Sequence, residues 1–428
     1  MTQVFACSFN KINSVIKKGP VKKTSTISIS VKNASNGKIL YKKNDKILSH
    51  PASSLKLFTF MSSVDALGEN YKFETKIYRD NKNNLYIKLG ADPLLKYADL
   101  KQLVRGANIN KVNKIYIDDS IIDKIEYPSG WLTDDFWPSL PKLSPYTLDK
   151  NTVEVKLNIV DNGIIKAFQH NDYQLSLINE VQKGTKEELS VSKNYGEESE
   201  IINLKGTISK DTSIFIPVNN PKFYFIANLE NILKKEKINY TDQFYFSKVP
   251  NGTKEISVVS HSLSEVGKEI LQNSDNFASE ILFKVAGGKY KNSDLGSTKA
   301  GIEMFYNYCT KLGLDVENIK ITDASGVSRY NLVSSDWMSN ALIKIKDTNI
   351  KNYMATPDIG TLKQRLRHLD GSIWAKTGTL SGISSIEGYM LTKDKKDVVF
   401  VIIIQNFNKK KSIIKSFEDD LVNAIYLL

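Results

Sequence analysis

Cysteine and histidine are scarce in this chain. Two cysteines, Cys7 and Cys309, stand in 428 residues. They are too few and too far apart for a disulfide framework or a thiolate zinc site. The four histidines, His50, His170, His261 and His368, show neither HExxH nor HxH spacing, so a histidine-based metal site or triad has little to rest on. Long apolar runs are missing too: nothing after the N-terminus reaches the roughly 18 residues a transmembrane helix needs. Acidic residues are outnumbered, 47 Asp and Glu against 59 Lys and Arg, for a net charge of +12. The lysines are scattered among asparagine and isoleucine, with no arginine-rich arm and no aromatic-basic stripe. That pattern argues against a nucleic-acid-binding protein. An anionic polymer or, peripherally, a membrane surface suits the charge better.

What is present is a long chain, 41% hydrophobic, able to bury two or three cores. TISISV at Thr26–Val31 alternates, NASNG supplies a turn and KILY returns, which predicts a hairpin. An apolar helix follows Pro51 and ends near Gly68. From there to about Pro250 the chain reads as short strands and loops, including KIYIDDS, TVEVKLNIV, YQLSLI, SIFIPV and FYFIANL. Beyond Ser257 come three amphipathic helices, near residues 263–272, 276–285 and 301–312, then two or three strands and a final helix. This order predicts an α+β domain of residues 24–66 and 257–428, with an antiparallel sheet joining both ends of the chain and a β-rich insertion at 67–256, itself in two nested parts. Residues 1–23 are expected to be an unstructured tail or the remnant of an export signal. Val4-Phe5-Ala6 before Cys7 has the small-residue end of a signal peptide without its basic and apolar regions, and Cys7 would be a site for lipid attachment.

Three short segments could carry chemistry. In HPASSLKLFTFM, Ser53 and Lys56 lie one turn apart on a helix N-terminus. A serine hydroxyl needs a base to become a nucleophile, and burial among Leu55, Leu57, Phe58 and Phe60 would favour the neutral, basic form of Lys56. SxxK spacing alone is not specific, since it also occurs at Ser8, Ser14, Ser35, Ser139, Ser190 and Ser412. Ser274-Asp275-Asn276 lies between two predicted helices. It can relay a proton and hold an amide, or simply end one helix and cap the next. Lys376-Thr377-Gly378-Thr379 follows a short strand: a fixed cation, two hydroxyl donors and a glycine that admits close approach.

In this order, SxxK, SxN and KTG are the signature of penicillin-binding proteins and serine β-lactamases. The chain resembles in particular the class C low-molecular-mass penicillin-binding proteins, the D-alanyl-D-alanine carboxypeptidase/endopeptidases. PASSLK, LGADPLL at Leu89–Leu95, IDDS with Gly130-Trp131, LDKN at Leu148–Asn151 and DASGVSRYN at Asp323–Asn331 carry the likeness. Ala324 stands where relatives have glycine. The long gap from Ser53 to Ser274 separates the chain from simple β-lactamases, and no deacylating ExxLN-like segment stands out. A β-lactamase and an inactive wall-binding scaffold are the rival readings.

The resemblance implies a β-lactamase/transpeptidase-like fold and acyl transfer on peptidoglycan stem peptides without metal or cofactor. Ser53 would be the nucleophile and Lys56, neutral, its base. Ser274 would relay a proton and Asn276 bind the substrate backbone. Lys376, charged, would join Thr377, Gly378 and Thr379 around the terminal carboxylate, while repelling charge from Lys56. The backbone N–H groups of Ser53 and Thr379 would form the oxyanion hole. Asp149 and Arg329 match positions facing the amine and carboxylate of a diaminopimelate side chain, and Ser381 replaces a glutamine of some relatives. β-Lactams would be covalent inhibitors, and the protein would be exported to the periplasm or cell envelope.

Overall fold

The computed structural model describes all residues except 1, 22, 133–139, 161–162, 170–172, 174, 194–200 and 242. His170 lies outside the described residues. A five-stranded antiparallel sheet runs in the order Ile373–Leu380, Ile383–Leu391, Asp397–Gln405, Thr26–Asn33, Ile39–Lys43. The first long strand therefore pairs with the last, Ile29 opposite Ile402 and Val31 opposite Phe400, as expected of a sheet that joins the chain ends. VVFVIIIQ reads as an unbroken apolar run because both its faces are covered. Val399, Val401 and Ile403 face one core, with Phe58, Phe283, Phe305 and Met338, while Val398, Phe400, Ile402 and Ile404 face another, with Phe417, Leu421 and Ile425. The first core is built on helices Lys56–Leu67, Leu263–Gln272, Asn276–Tyr290, Thr298–Lys311 and Ser335–Ile345, the second on Lys411–Tyr426.

Residues 2–18 correct one expectation. Thr2–Lys18 is a helix, not an unstructured tail. Ile12 is fully buried, and Val15 and Ile16 pack beside it against the core of the C-terminal helix. The 12/15/16 spacing is a helical face submerged in a lysine- and asparagine-rich context.

The middle of the chain has its own core. A mixed sheet runs Phe244–Phe246, Ile115–Asp118, Leu85–Lys88, Lys72–Arg79, Lys254–Ser262, and two three-stranded sheets lie within residues 152–217. Lys254–Ser262 pairs along its length with Lys72–Arg79, so a cut between 256 and 257 falls inside a strand. FYFIANL, expected as a strand, belongs to helix Pro221–Lys235. Asn220 caps that helix, its side chain accepting from Phe223 N, and Pro221 occupies the first turn. Tyr224, Phe225, Leu229, Ile232 and Leu233 then form the buried helical stripe. Among the described residues no helix is long and apolar enough to cross a membrane.

Candidate active site

The three motifs converge. Ser53 sits in a 3-10 turn, Ala52–Leu55, that runs directly into helix Lys56–Leu67. Ala52 holds φ +48, an unfavourable conformation for a residue with a Cβ, kept only where the surroundings dictate it. Two glycines provide that fit. A Cβ on Gly326 (φ +80) would lie 1.9 Å from Ala52 O, and one on Gly378 would lie 2.9 Å from Pro51 O and Ser53 N. Gly378 thus lets its strand lie against the nucleophile turn and Ser385. Ser385 Oγ donates to Pro51 O at 2.7 Å and lies 2.9 Å from Ser54 Oγ, which fixes the neighbouring serine as part of the framework.

Lys56 Nζ lies 2.8 Å from Ser53 Oγ, 2.6 Å from Asn276 Oδ1 and 2.7 Å from Ser325 O. Lys376 Nζ lies 2.8 Å from Ser274 Oγ and donates to Thr377 O at 2.8 Å. Thr377 Oγ1 donates to Thr361 Oγ1 at 2.8 Å, and Thr379 is half-buried at the end of the same strand. Ser274 has φ +63, while Asp275 caps the helix that starts at Asn276 by accepting from Ala278 N at 2.7 Å. The SDN segment therefore caps a helix and, on either side of the capping residue, presents a hydroxyl and an amide to the two lysines.

Both lysines are fully buried. Burial lowers Lys56 to about 8, against the opposing charges of Asp323, Glu280 and Asp275. Lys376 is held well below the usual lysine range by burial, by Lys56 and by Lys415, with Glu387 opposing. The two ammonium groups thus oppose one another, and each is lowered by burial first. Like charges buried in one pocket disfavour each other.

Sequence reasoning missed three buried carboxyls. Glu280 Oε1 accepts from Ala324 N and Ser325 N at 3.0 and 2.8 Å, and burial, then Asp323, raises it to about 8. Asp323 organises the loop that carries Gly326 and the Ser325 carbonyl, accepting from Gly326 N, Ser328 N, Asn331 Nδ2 and Trp131 Nε1 at 2.6–2.9 Å. Ala324 is fully buried, and its carbonyl accepts from Thr59 Oγ1. The third, Glu387, stands directly opposite Lys376 in the strand register.

Glu387 is fully buried and neither of its carboxyl oxygens has a hydrogen-bond partner among the described residues. Burial pushes its carboxyl well above the glutamate range, the Lys376 charge opposing. The native state thus holds a proton there that the unfolded chain has lost, and stability declines as pH rises from the ordinary glutamate range through the raised value. Glu387→Met, similar in shape and without the polar ends, is expected to raise stability by about 1–3 kcal/mol at pH 8 and by less at pH 5. Urea unfolding at the two pH values checks it; a variant less stable than the parent at pH 8 contradicts it.

Beside Ser274 and Asn276 opens a cleft of about 1300 Å³, walled by Tyr97, Asp149, Lys150, Tyr224, His261 and Glu269 among others. Asp149 stands in it, accepting from Tyr97 N at 3.2 Å and Tyr224 Oη at 3.1 Å. Arg329 follows the Asp323 loop: its backbone N–H donates to Gly130 O at 3.0 Å, and its charge acts on His50. Ser381 is exposed in the turn after the KTG strand, in a separate depression with Thr379 and Phe407. Among the described residues no group of three His, Cys, Asp or Glu could hold a metal ion.

Residues 9–424 match the model of the D-Ala-D-Ala carboxypeptidase 3 (S13) family. A D-alanyl-D-alanine carboxypeptidase, DacB, from Haemophilus influenzae is 24% identical over 94% of this chain and 91% of its own length. The crystal structure of penicillin binding protein 4 from the same organism superposes with a TM-score of 0.83 at 22% identity, covering 97% of this chain and 99% of that one. A predatory peptidoglycan endopeptidase from Bdellovibrio bacteriovorus shares the fold more distantly, with a TM-score of 0.53 at 16% identity over 94% of this chain and 92% of that one.

Proposed function

The chain belongs to the D-Ala-D-Ala carboxypeptidase 3 (S13) family, and from that membership we propose how its site works. It is a serine D-alanyl-D-alanine carboxypeptidase acting on peptidoglycan stem peptides through an acyl-Ser53 intermediate. The observation that carries the reading is one buried amine, Lys56 Nζ, within hydrogen-bond reach of both Ser53 Oγ and Asn276 Oδ1.

The terminal carboxylate of the stem peptide enters beside Lys376, Thr377 and Thr379. An anion there favours the protonated form of Lys376, whose charge in turn favours neutral Lys56. Substrate binding thereby sets the base for its own attack. Lys56 accepts the Ser53 proton as Oγ bonds to the carbonyl carbon of the penultimate D-Ala. The oxyanion is met by the N–H groups of Ser53 and Thr379, donors worth roughly 2.7–4 kcal/mol each in comparable sites. Ser274 passes its proton to the departing D-Ala amine and is reprotonated by the Lys376 ammonium bonded to it; water then adds to the ester carbonyl, giving its proton to the now neutral Lys376, and Ser53 leaves with the proton held on Lys56. A cross-linked peptide differs only in the amine that leaves, so endopeptidase action uses the same acyl-enzyme. The inserted region, from residue 67 through the strand Lys254–Ser262, walls the cleft beside Ser274, and Asp149 contributes to recognition of the stem's side chain. Substrate of this kind places the protein outside the cytoplasm, in the periplasm or envelope.

Incubation with benzylpenicillin followed by intact-mass measurement and peptide mapping tests the reading. One stable adduct on the Ser53 peptide is expected. Penicillin consumed without an adduct would identify a β-lactamase, and intact penicillin without an adduct a non-catalytic scaffold.

A further inference from the structure

Residues 149–151 have φ of +48, +55 and +56, three consecutive non-glycine residues in the left-handed region. Such a run persists only when its surroundings over-determine it. Here they do. Asp149 N donates to Leu95 O at 2.8 Å, Asn151 Nδ2 to Lys142 O at 3.0 Å, Thr152 Oγ1 to Asp149 O at 2.8 Å and Val218 N to Asn151 O at 3.0 Å. The effect of the twist is to send neighbouring side chains to different partners. Asp149 is taken up by Tyr97 and Tyr224. Lys150 reaches Glu269 Oε1 at 2.5 Å and Asp275 Oδ2 at 2.6 Å.

Those two carboxylates bracket the Ser274 loop. Glu269, on helix Leu263–Gln272, also accepts from Asn273 Nδ2 at 2.7 Å, and Asp275 caps the next helix. Between them Ser274, in its own left-handed conformation, reaches Lys376, and Asn276 reaches Lys56. One ammonium group from the insertion thus ties down both ends of the loop that contacts both catalytic lysines.

We propose that Lys150 is a positioning residue through which the inserted region holds the Ser274–Asn276 loop competent for acylation. This rests on the acyl-serine reading above and adds a purpose for the insertion: it supplies the clamp for a loop its own core does not contain. Lys150 acts through Asp275, at a distance from the reacting atoms. A loop misplacement of about 1 Å is enough to cost on the order of 100-fold in rate.

The clamp also has an electrostatic signature. Lys56 faces Asp323, Glu280 and Asp275 as well as Lys376. Removing the Lys150 charge leaves Asp275 uncompensated, which favours protonated Lys56 and moves the acid limb of acylation to higher pH. Asp275→Asn breaks the same clamp but removes a charge that holds the proton on Lys56, so its limb moves to lower pH.

The experiment is the second-order rate of acylation by a chromogenic cephalosporin across pH, for the full chain, Lys150→Met, Lys150→Arg and Asp275→Asn. We expect Lys150→Met to lose about 10–100-fold with its acid limb shifted up, Lys150→Arg to recover most of the rate, and Asp275→Asn to be slow with its limb shifted down. Should Lys150→Met fail to fold, Asp275→Asn carries the test. Wild-type rates in the folded Met or Asn variants, or limbs that do not move, would overturn the clamp. A parent protein that never acylates would overturn the acyl-serine reading instead.

Discussion

Ser53→Ala is expected to abolish covalent labelling by benzylpenicillin and to lower D-Ala release by on the order of 10⁶-fold, the scale seen when a serine hydrolase loses its nucleophile. No neighbour can substitute. Ser54 is fully buried, with its hydroxyl shared with Ser385, and Ser274 belongs to Lys376, on the other side of the pocket. The variant should remain folded. Ser53 is only half-buried, the strained turn at Ala52 is held by Gly326 and Gly378, and Lys56 keeps its contacts with Asn276 and Ser325. Unchanged thermal unfolding with no adduct by mass spectrometry is therefore the expected pair of results. An adduct that survives the substitution would place the nucleophile elsewhere.

The parts of this site that rest on local chemistry were legible in the sequence. SxxK on a helix start, a hydroxyl and an amide around a capping aspartate, and a lysine on a strand each follow from a few neighbouring residues. The sheet that joins the chain ends was legible too, because TISISV alternates and VVFVIIIQ is apolar throughout. What was illegible depends on partners distant in sequence. Glu280 lies in the middle of a helix and reads as a surface charge until residues 324 and 325 close over it. Glu387 reads as the polar position of an ordinary strand, yet the register places it against Lys376. FYFIANL is apolar enough for either a strand or a helix, and the deciding residues, Asn220 and Pro221, precede it. The role of Arg329 rests on a motif match rather than on local chemistry.

Lys56→Met should reduce acylation by about 10²–10⁴-fold, the usual worth of a positioned general base. The methionine fills much of the same volume but leaves Ser53 Oγ with no group to take its proton, and Asn276 Oδ1 and the Ser325 carbonyl without a donor. The pH profile of the parent enzyme follows from the same amine. The active form is the neutral one, and Lys56 titrates at about 8. Below that value the neutral fraction falls tenfold per pH unit, so acylation should climb with pH and level off above about 8. If Lys56 is the base, the Met variant's residual rate should lose this limb. A residual rate that still climbs toward the same plateau would assign the titration to another group, with Glu280 first in line, since burial and Asp323 bring it to about 8 as well. The two are separable by Glu280→Gln. With the carboxylate's charge gone, Lys56 loses one of the groups that favour its protonated form, and the limb should move to lower pH while the plateau rate stays near that of the parent. A limb that disappears in Glu280→Gln and persists in Lys56→Met would make the glutamate, and not the lysine, the group that governs proton removal from Ser53.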